Sequence, residues 1–277
     1  MMHFNVKKVL PLLAAGMLAP VMAQDLNPEK NGGWQPAKTG KNGEFSIVKG
    51  DRMVLSAAIF EVDPKATYEL SGKFRSDGSD PKNKLLFFGA EAYTPGYQII
   101  TSPQVNAFPG TETELAKDVK KTDTVLYVKD ASAWNVKTSA GVVAFNAQDN
   151  YADLPNPRCT PNIAKIEKKG DVWQITLKGG AYHAFPAGTR VRQHAHGMGR
   201  TFFVAFYKPV KSEQWTEIKG KISGIAPFGA ARNQWWKGTA SARICISGTP
   251  GVMFKDIVLK KVGGEVKIIP AATVKKK

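Results

Sequence analysis

The residues best able to hold a ligand are flat aromatics beside planar polar groups, and one segment concentrates them: Ala231-Arg232-Asn233-Gln234-Trp235-Trp236-Lys237. Sugar rings present apolar C–H faces that stack on aromatic side chains, and their hydroxyls pair with amide and guanidinium groups. Consecutive side chains of an extended chain point to opposite sides. One of Trp235 and Trp236 is therefore expected to enter a core while the other stacks on ligand, with Arg232, Asn233 and Gln234 as hydroxyl partners. Burial of both rings is the competing reading, because large aromatics are often mostly buried. Tyr93 and Tyr97, in Tyr93-Thr94-Pro95-Gly96-Tyr97, are a second candidate pair, since loops hung on a rigid sheet are usual positions for recognition. They read equally as turn-forming and edge-capping residues. Trp34 is a third candidate, whereas Trp173 and Trp215 fall in strand patterns and are expected to be core or sheet residues.

Catalytic chemistry has two partial signals, one within Gly188-Thr189-Arg190-Val191-Arg192-Gln193-His194-Ala195-His196 and one that overlaps it and reaches back to Tyr182. A glycine followed by His-x-His resembles the start of the cupin metal motif, in which two imidazoles share one strand face. Gly197-Met198-Gly199-Arg200-Thr201 then supplies no acid, and no histidine follows His196, so solvated or junction histidines are the expectation. Tyr182, His183, Arg190, Arg192 and His194 are also the residue types of a polysaccharide lyase, a base beside cations that neutralise a uronate carboxylate. No G-x-S-x-G elbow, P-loop or dinucleotide fingerprint occurs. The chain is expected to be non-catalytic.

Composition narrows the partners. Lys7 and Lys8, an apolar stretch to Met22 and small residues before Gln24 form the pattern of an export signal over residues 1–23, which predicts a secreted or periplasmic protein. The apolar run is too short for a membrane span. Two of the 39 basic residues lie in the signal, so the mature chain carries 37 against 23 acidic residues, a net charge of +14. That field favours a polysaccharide or other glycan bearing acidic groups, and export removes nucleic acid from the expected partners. Cys159 and Cys245 would meet an oxidising compartment, and whether they pair is left open by the sequence.

Nearly every patterned segment alternates at period two, which predicts an all-β protein. Strands are expected at Glu44–Val48, Met53–Phe60, Thr67–Ser76, Lys84–Tyr93, Thr201–Tyr207, Trp215–Ser223, Thr239–Ser247 and Val252–Lys260, a set that suits a jelly-roll β-sandwich. Between the fourth and fifth lie Thr124–Lys129, Val142–Asn146, Asn162–Lys168, Val172–Lys178 and Thr189–His194, too much pattern for a loop. The expected division is a sandwich from 24–108 plus 200–263, an inserted β domain at 109–199 and a basic tail at 264–277.

Gly43–Ile47, Phe60-Glu61-Val62-Asp63-Pro64, Thr67-Tyr68-Glu69-Leu70-Ser71-Gly72-Lys73-Phe74-Arg75, Gln214-Trp215-Thr216-Glu217-Ile218 and the closing Val252–Leu259 follow one another as in the carbohydrate-binding modules of groups 4, 9 and 16. The sandwich resembles that family, and the insert, through Thr113–Val119 and Asp123–Trp134, resembles small β modules of phage-tail and bacterial surface proteins. The resemblance implies a non-catalytic carbohydrate-binding protein, with a structural or adhesive surface component and a polysaccharide lyase as alternatives. It also implies structural calcium at Asp256, although this chain has Lys255-Asp256 where the family commonly has two acids.

Overall fold

A computed structural model describes residues 25–36, 38–39, 43–50, 53–79, 84–137, 140–197, 199–211 and 214–269. The expected export signal and residues 270–277 lie outside them. The chain is all-β, as its alternation predicts. It runs through β1 (Trp34–Gln35), β2 (Lys38–Thr39), β3 (Phe45–Ser46), β4 (Val54–Ser56), β5 (Ile59–Glu61), β6 (Thr67–Ser76) and β7 (Lys84–Tyr93), then one helical turn, α1 (Ser102–Val105). The insert supplies β8 (Thr113–Glu114), β9 (Val125–Val128), β10 (Gly141–Phe145), β11 (Ile163–Lys169), β12 (Val172–Leu177) and β13 (Arg190–Ala195). The chain then returns as β14 (Thr201–Val210), β15 (Thr216–Ser223), β16 (Ser241–Gly248), β17 (Val252–Lys261) and β18 (Ile268–Ile269).

Two sheets make the sandwich. One has the order β15-β6-β17-β3-β2; the other has β16 at its centre, with β7 and then β14 on one side and β4, β5, β1 and β18 on the other. Alternation on β6 sends Tyr68, Leu70 and Phe74 inward, and Phe74 meets Phe88 of β7 edge-on at 4.9 Å. Gly89, opposite the irregularity between Phe203 and Ala205 of β14, must lack a side chain: a Cβ there would collide with the Phe202 carbonyl oxygen. The expected single strand Met53–Phe60 is instead β4 and β5. The Ser56 hydroxyl takes the Ile244 amide (3.0 Å) and donates to the Ala58 carbonyl (2.8 Å), replacing ladder bonds with side-chain ones.

The insert has its own apolar core, which includes Leu115, Leu126, Trp134, Phe145, Ile175 and Val191, between the sheets β10-β13-β8 and β11-β12-β9. Its neck is narrow. Ala107 bridges His194, and the Ala195 amide donates to the Asn106 carbonyl at 2.9 Å. Cys245 lies in β16 of the sandwich and Cys159 in the insert, and both thiols are free. No helix of the described residues is long and apolar enough to cross a membrane.

Candidate functional site

The tryptophan pair expected at the ligand is wholly internal. Trp235 and Trp236 are both fully buried: Trp235 packs edge-on against Tyr68 (5.5 Å) and Phe202 (5.1 Å), and the Trp236 indole N–H donates to the Ala231 carbonyl at 3.1 Å. The alternation argument fails because the segment is a series of bends and a turn. It is tied to the residues after β15 by bonds from the Ser223 amide to Asn233 (3.0 Å) and from the Trp235 amide to Gly224 (3.0 Å). Arg232 and Asn233 are exposed and Gln234 is half-buried, while both tryptophan rings beside them are internal.

Tyr93 is likewise buried, on the outer face of the sheet centred on β16. Its hydroxyl donates to the Glu91 carboxylate and accepts from Arg243 Nε (2.6 Å), while the Arg243 guanidinium lies over its ring; Arg200 Nε lies 2.6 Å from the other Glu91 oxygen. At 4% exposure the ring offers no face to a sugar. Tyr97, at φ 59°, closes a turn through its amide to the Thr94 carbonyl (2.9 Å) and stays half-exposed. Asp256 is the extra residue of a bulge between Lys255 and Val258, at φ 52°, where aspartate is better tolerated than most residues. Its carboxylate pairs with Lys73 Nζ at 2.9 Å, and among the described residues no three His, Cys, Asp or Glu side chains converge to hold a metal. Glu29 lies close by; burial, and next the Asp256 charge, push its carboxyl above the usual range.

The His-x-His pair does not share a strand face, because β13 ends at Ala195 and leaves His196 exposed beyond it. His194 is sealed inside. Its Nδ1–H donates to the Pro103 carbonyl (2.7 Å) and its Nε2 accepts from Arg192 Nε (3.1 Å), which together require the neutral ring. Arg192, also fully buried, donates to Asp153 (2.8 Å) and the Gln148 carbonyl (3.0 Å), lies 3.6 Å from Glu112 and covers the Tyr151 ring. Neither residue can meet a polymer, so the expected lyase set of Tyr182, His183, Arg190, Arg192 and His194 is not one site.

Burial lowers the His194 pKa to about 4, with the Pro103 hydrogen bond opposing the shift. The unfolded chain therefore binds a proton that the folded chain refuses. This stability term is complete above about pH 6.5 and is lost as pH falls towards 4, an expected loss of about 3 kcal/mol. Urea midpoints of the insert measured across that window should fall more steeply for the natural chain than for His194→Gln.

One site emerges that the strand patterns pointed away from. Four of the six tryptophans are buried and Trp173 packs against the insert core, whereas Trp215 belongs to neither core. It stands half-buried at the start of β15, with Lys255 Nζ 4.4 Å and the Arg75 guanidinium 4.8 Å from its ring centre. The Glu44 carboxylate reaches both cations, at 3.2 Å from Arg75 and 3.7 Å from Lys255, and so braces the platform. Residues of the same outer face line a groove of about 550 Å³: Glu69, Ser71, Glu217, Lys219, Lys221 and Lys260. Register aligns Glu217 with Lys73, Lys219 with Ser71 and Lys221 with Glu69, so the line from Trp215 to Lys221 runs about 20 Å at ~3.4 Å per residue.

The chain matches no protein-family model, no curated protein and no solved structure. An aromatic plate at one end of a polar groove, with ammonium, carboxylate and hydroxyl groups projecting at regular spacing, can seat a linear polyhydroxylated ligand.

Proposed function

We propose that this is a secreted, non-catalytic carbohydrate-binding protein that holds a glycan along the outer face of the β15-β6-β17 sheet, with Trp215 as its stacking platform. The observation that carries the reading is a tryptophan committed to neither core and braced by Arg75, Lys255 and Glu44 beside a polar groove. Lys219, Lys221 and Lys260 and the overall excess of basic residues bias it towards acidic polymers. The secreted part rests on the export pattern of residues 1–23.

A glycan array probed with the mature protein is the direct test. Trp215→Ala should weaken binding by about 2 kcal/mol, roughly 30-fold, as removal of a central aromatic anchor does. An array without signal, or an affinity that survives Trp215→Ala unchanged, would overturn the proposal.

A further inference from the structure

A second cleft opens where α1 meets the insert, with a volume of about 420 Å³, inside the range of small-ligand sites. Its base is fixed. The Pro103 carbonyl is held by the His194 ring and by the Cys159 thiol (3.4 Å), and the Gln104 carbonyl accepts the Asn156 amide (2.8 Å). The opposite wall is equally defined, because the Lys178 amide donates to the Asn162 carbonyl at 2.7 Å and sets those two residues side by side. Tyr182, which also lines the cleft, is 59% exposed, the most open aromatic among the large hydrophobic residues described.

The lining has one sign of charge. Lys178 and the imidazole of His196 border the cleft, and among the described residues no aspartate or glutamate does, unlike the groove on β15 with Glu69 and Glu217. Cys159 adds no negative charge, because burial, and next the charge of Asp153, push its thiol up to about 12. Gln104 spends its side-chain oxygen on the Thr101 amide (3.0 Å), which leaves its NH₂ group for a ligand acceptor.

We propose that this cleft is a separate binding site for a carboxylate-bearing sugar, a hexuronate unit, with Lys178 and His196 facing the carboxylate, the Gln104 amide facing a hydroxyl, and Tyr182 against the ring. The anionic part of that ligand follows from the lining alone; the sugar part rests on the glycan-binding reading above.

The test titrates the mature protein with a hexuronate oligomer, its neutral hexose counterpart, and acetate and inorganic phosphate, following backbone amides of residues 178–182 by NMR. Expected are at least tenfold tighter binding of the uronate than of the other three, and at least tenfold weakening by Lys178→Gln and by Tyr182→Ala. Both substitutions remove exposed side chains, so folding is retained. Trp215→Ala should leave the titration unchanged, which separates this cleft from the sheet face: loss in Trp215→Ala alone would overturn the second site. Equal affinity for the neutral sugar, for acetate or for phosphate, or indifference to Lys178→Gln, would overturn it as well.

Discussion

Arg192→Met should destabilise the insert by roughly 3–5 kcal/mol, the usual cost of stripping one partner from a buried ion pair. The side chain is fully buried and its guanidinium is the cationic partner of Asp153 and Glu112, at 2.8 Å and 3.6 Å. Among the described residues one Glu112 oxygen has no hydrogen-bond partner, and Asp153 keeps only neutral donors, the Gln148 amide and Asn156 Nδ2, so no other cation replaces the guanidinium there. Methionine fills much of the volume, which makes the loss electrostatic. The His194 Nε2 also loses its donor. Amide exchange along β13, at Val191 and Gln193, reports the effect where it arises, while β6 and β17 serve as the internal reference. Adding Asp153→Asn and Glu112→Gln to Arg192→Met should recover part of the deficit; full retention of exchange protection by Arg192→Met alone would contradict the buried network.

Trp235→Ala should cost the sandwich about 3–5 kcal/mol, the range for deleting a buried aromatic from a close-packed core. Phe60, Tyr68 and Phe202 all present rings to this indole, so the cavity is walled by rigid groups with little freedom to collapse. The indole N–H has no acceptor among the described residues, so Trp235→Phe should cost clearly less than Trp235→Ala. Urea unfolding of the two variants measures the difference. The contrast with Trp215 is the informative part: on the proposed function, Trp235→Ala should lower the unfolding midpoint and leave the glycan affinity of the folded fraction intact, whereas Trp215→Ala should lower the affinity and leave the midpoint unchanged. A Trp235→Ala protein of unchanged midpoint would mean that the ring is not where the packing places it.

The long strands were legible in the sequence. β6 and β7 have the bounds that alternation assigns, and every insert strand read from the sequence is found within one or two residues, because a sheet with one buried face writes its period directly into residue type. Two-residue strands such as β1, β8 and β18 carry no period, and the four residues of α1 are too few for a helical one. The ligand-site reading went wrong where alternation was applied to a turn, at Trp235 and Trp236. The signal for Trp215 was present but unused: Ile218 faces inward on β15, and a residue three positions earlier in a period-two strand must face outward. The burial of Arg192, Gln193 and His194 on consecutive positions of β13 has no sequence signature, since polar residues there are covered by α1 and by the segment of Gln148 and Asp153, which are distant in sequence.

The pairing of the insert's two ends at Asn106 and Ala195 bears on how the chain reaches its native pairing. β7 and β14 are partners, yet roughly 100 residues separate them, and bringing such distant ends together carries an entropic cost that grows with the logarithm of the span. Once the insert has collapsed around Leu126, Phe145 and Ile175, its two ends leave side by side, and the span still to be closed shrinks to about 20 residues. By the logarithmic rule that saves about 1.5 kcal/mol at the step that joins the sandwich. An insert that folds first would therefore let two remote strands meet as near neighbours.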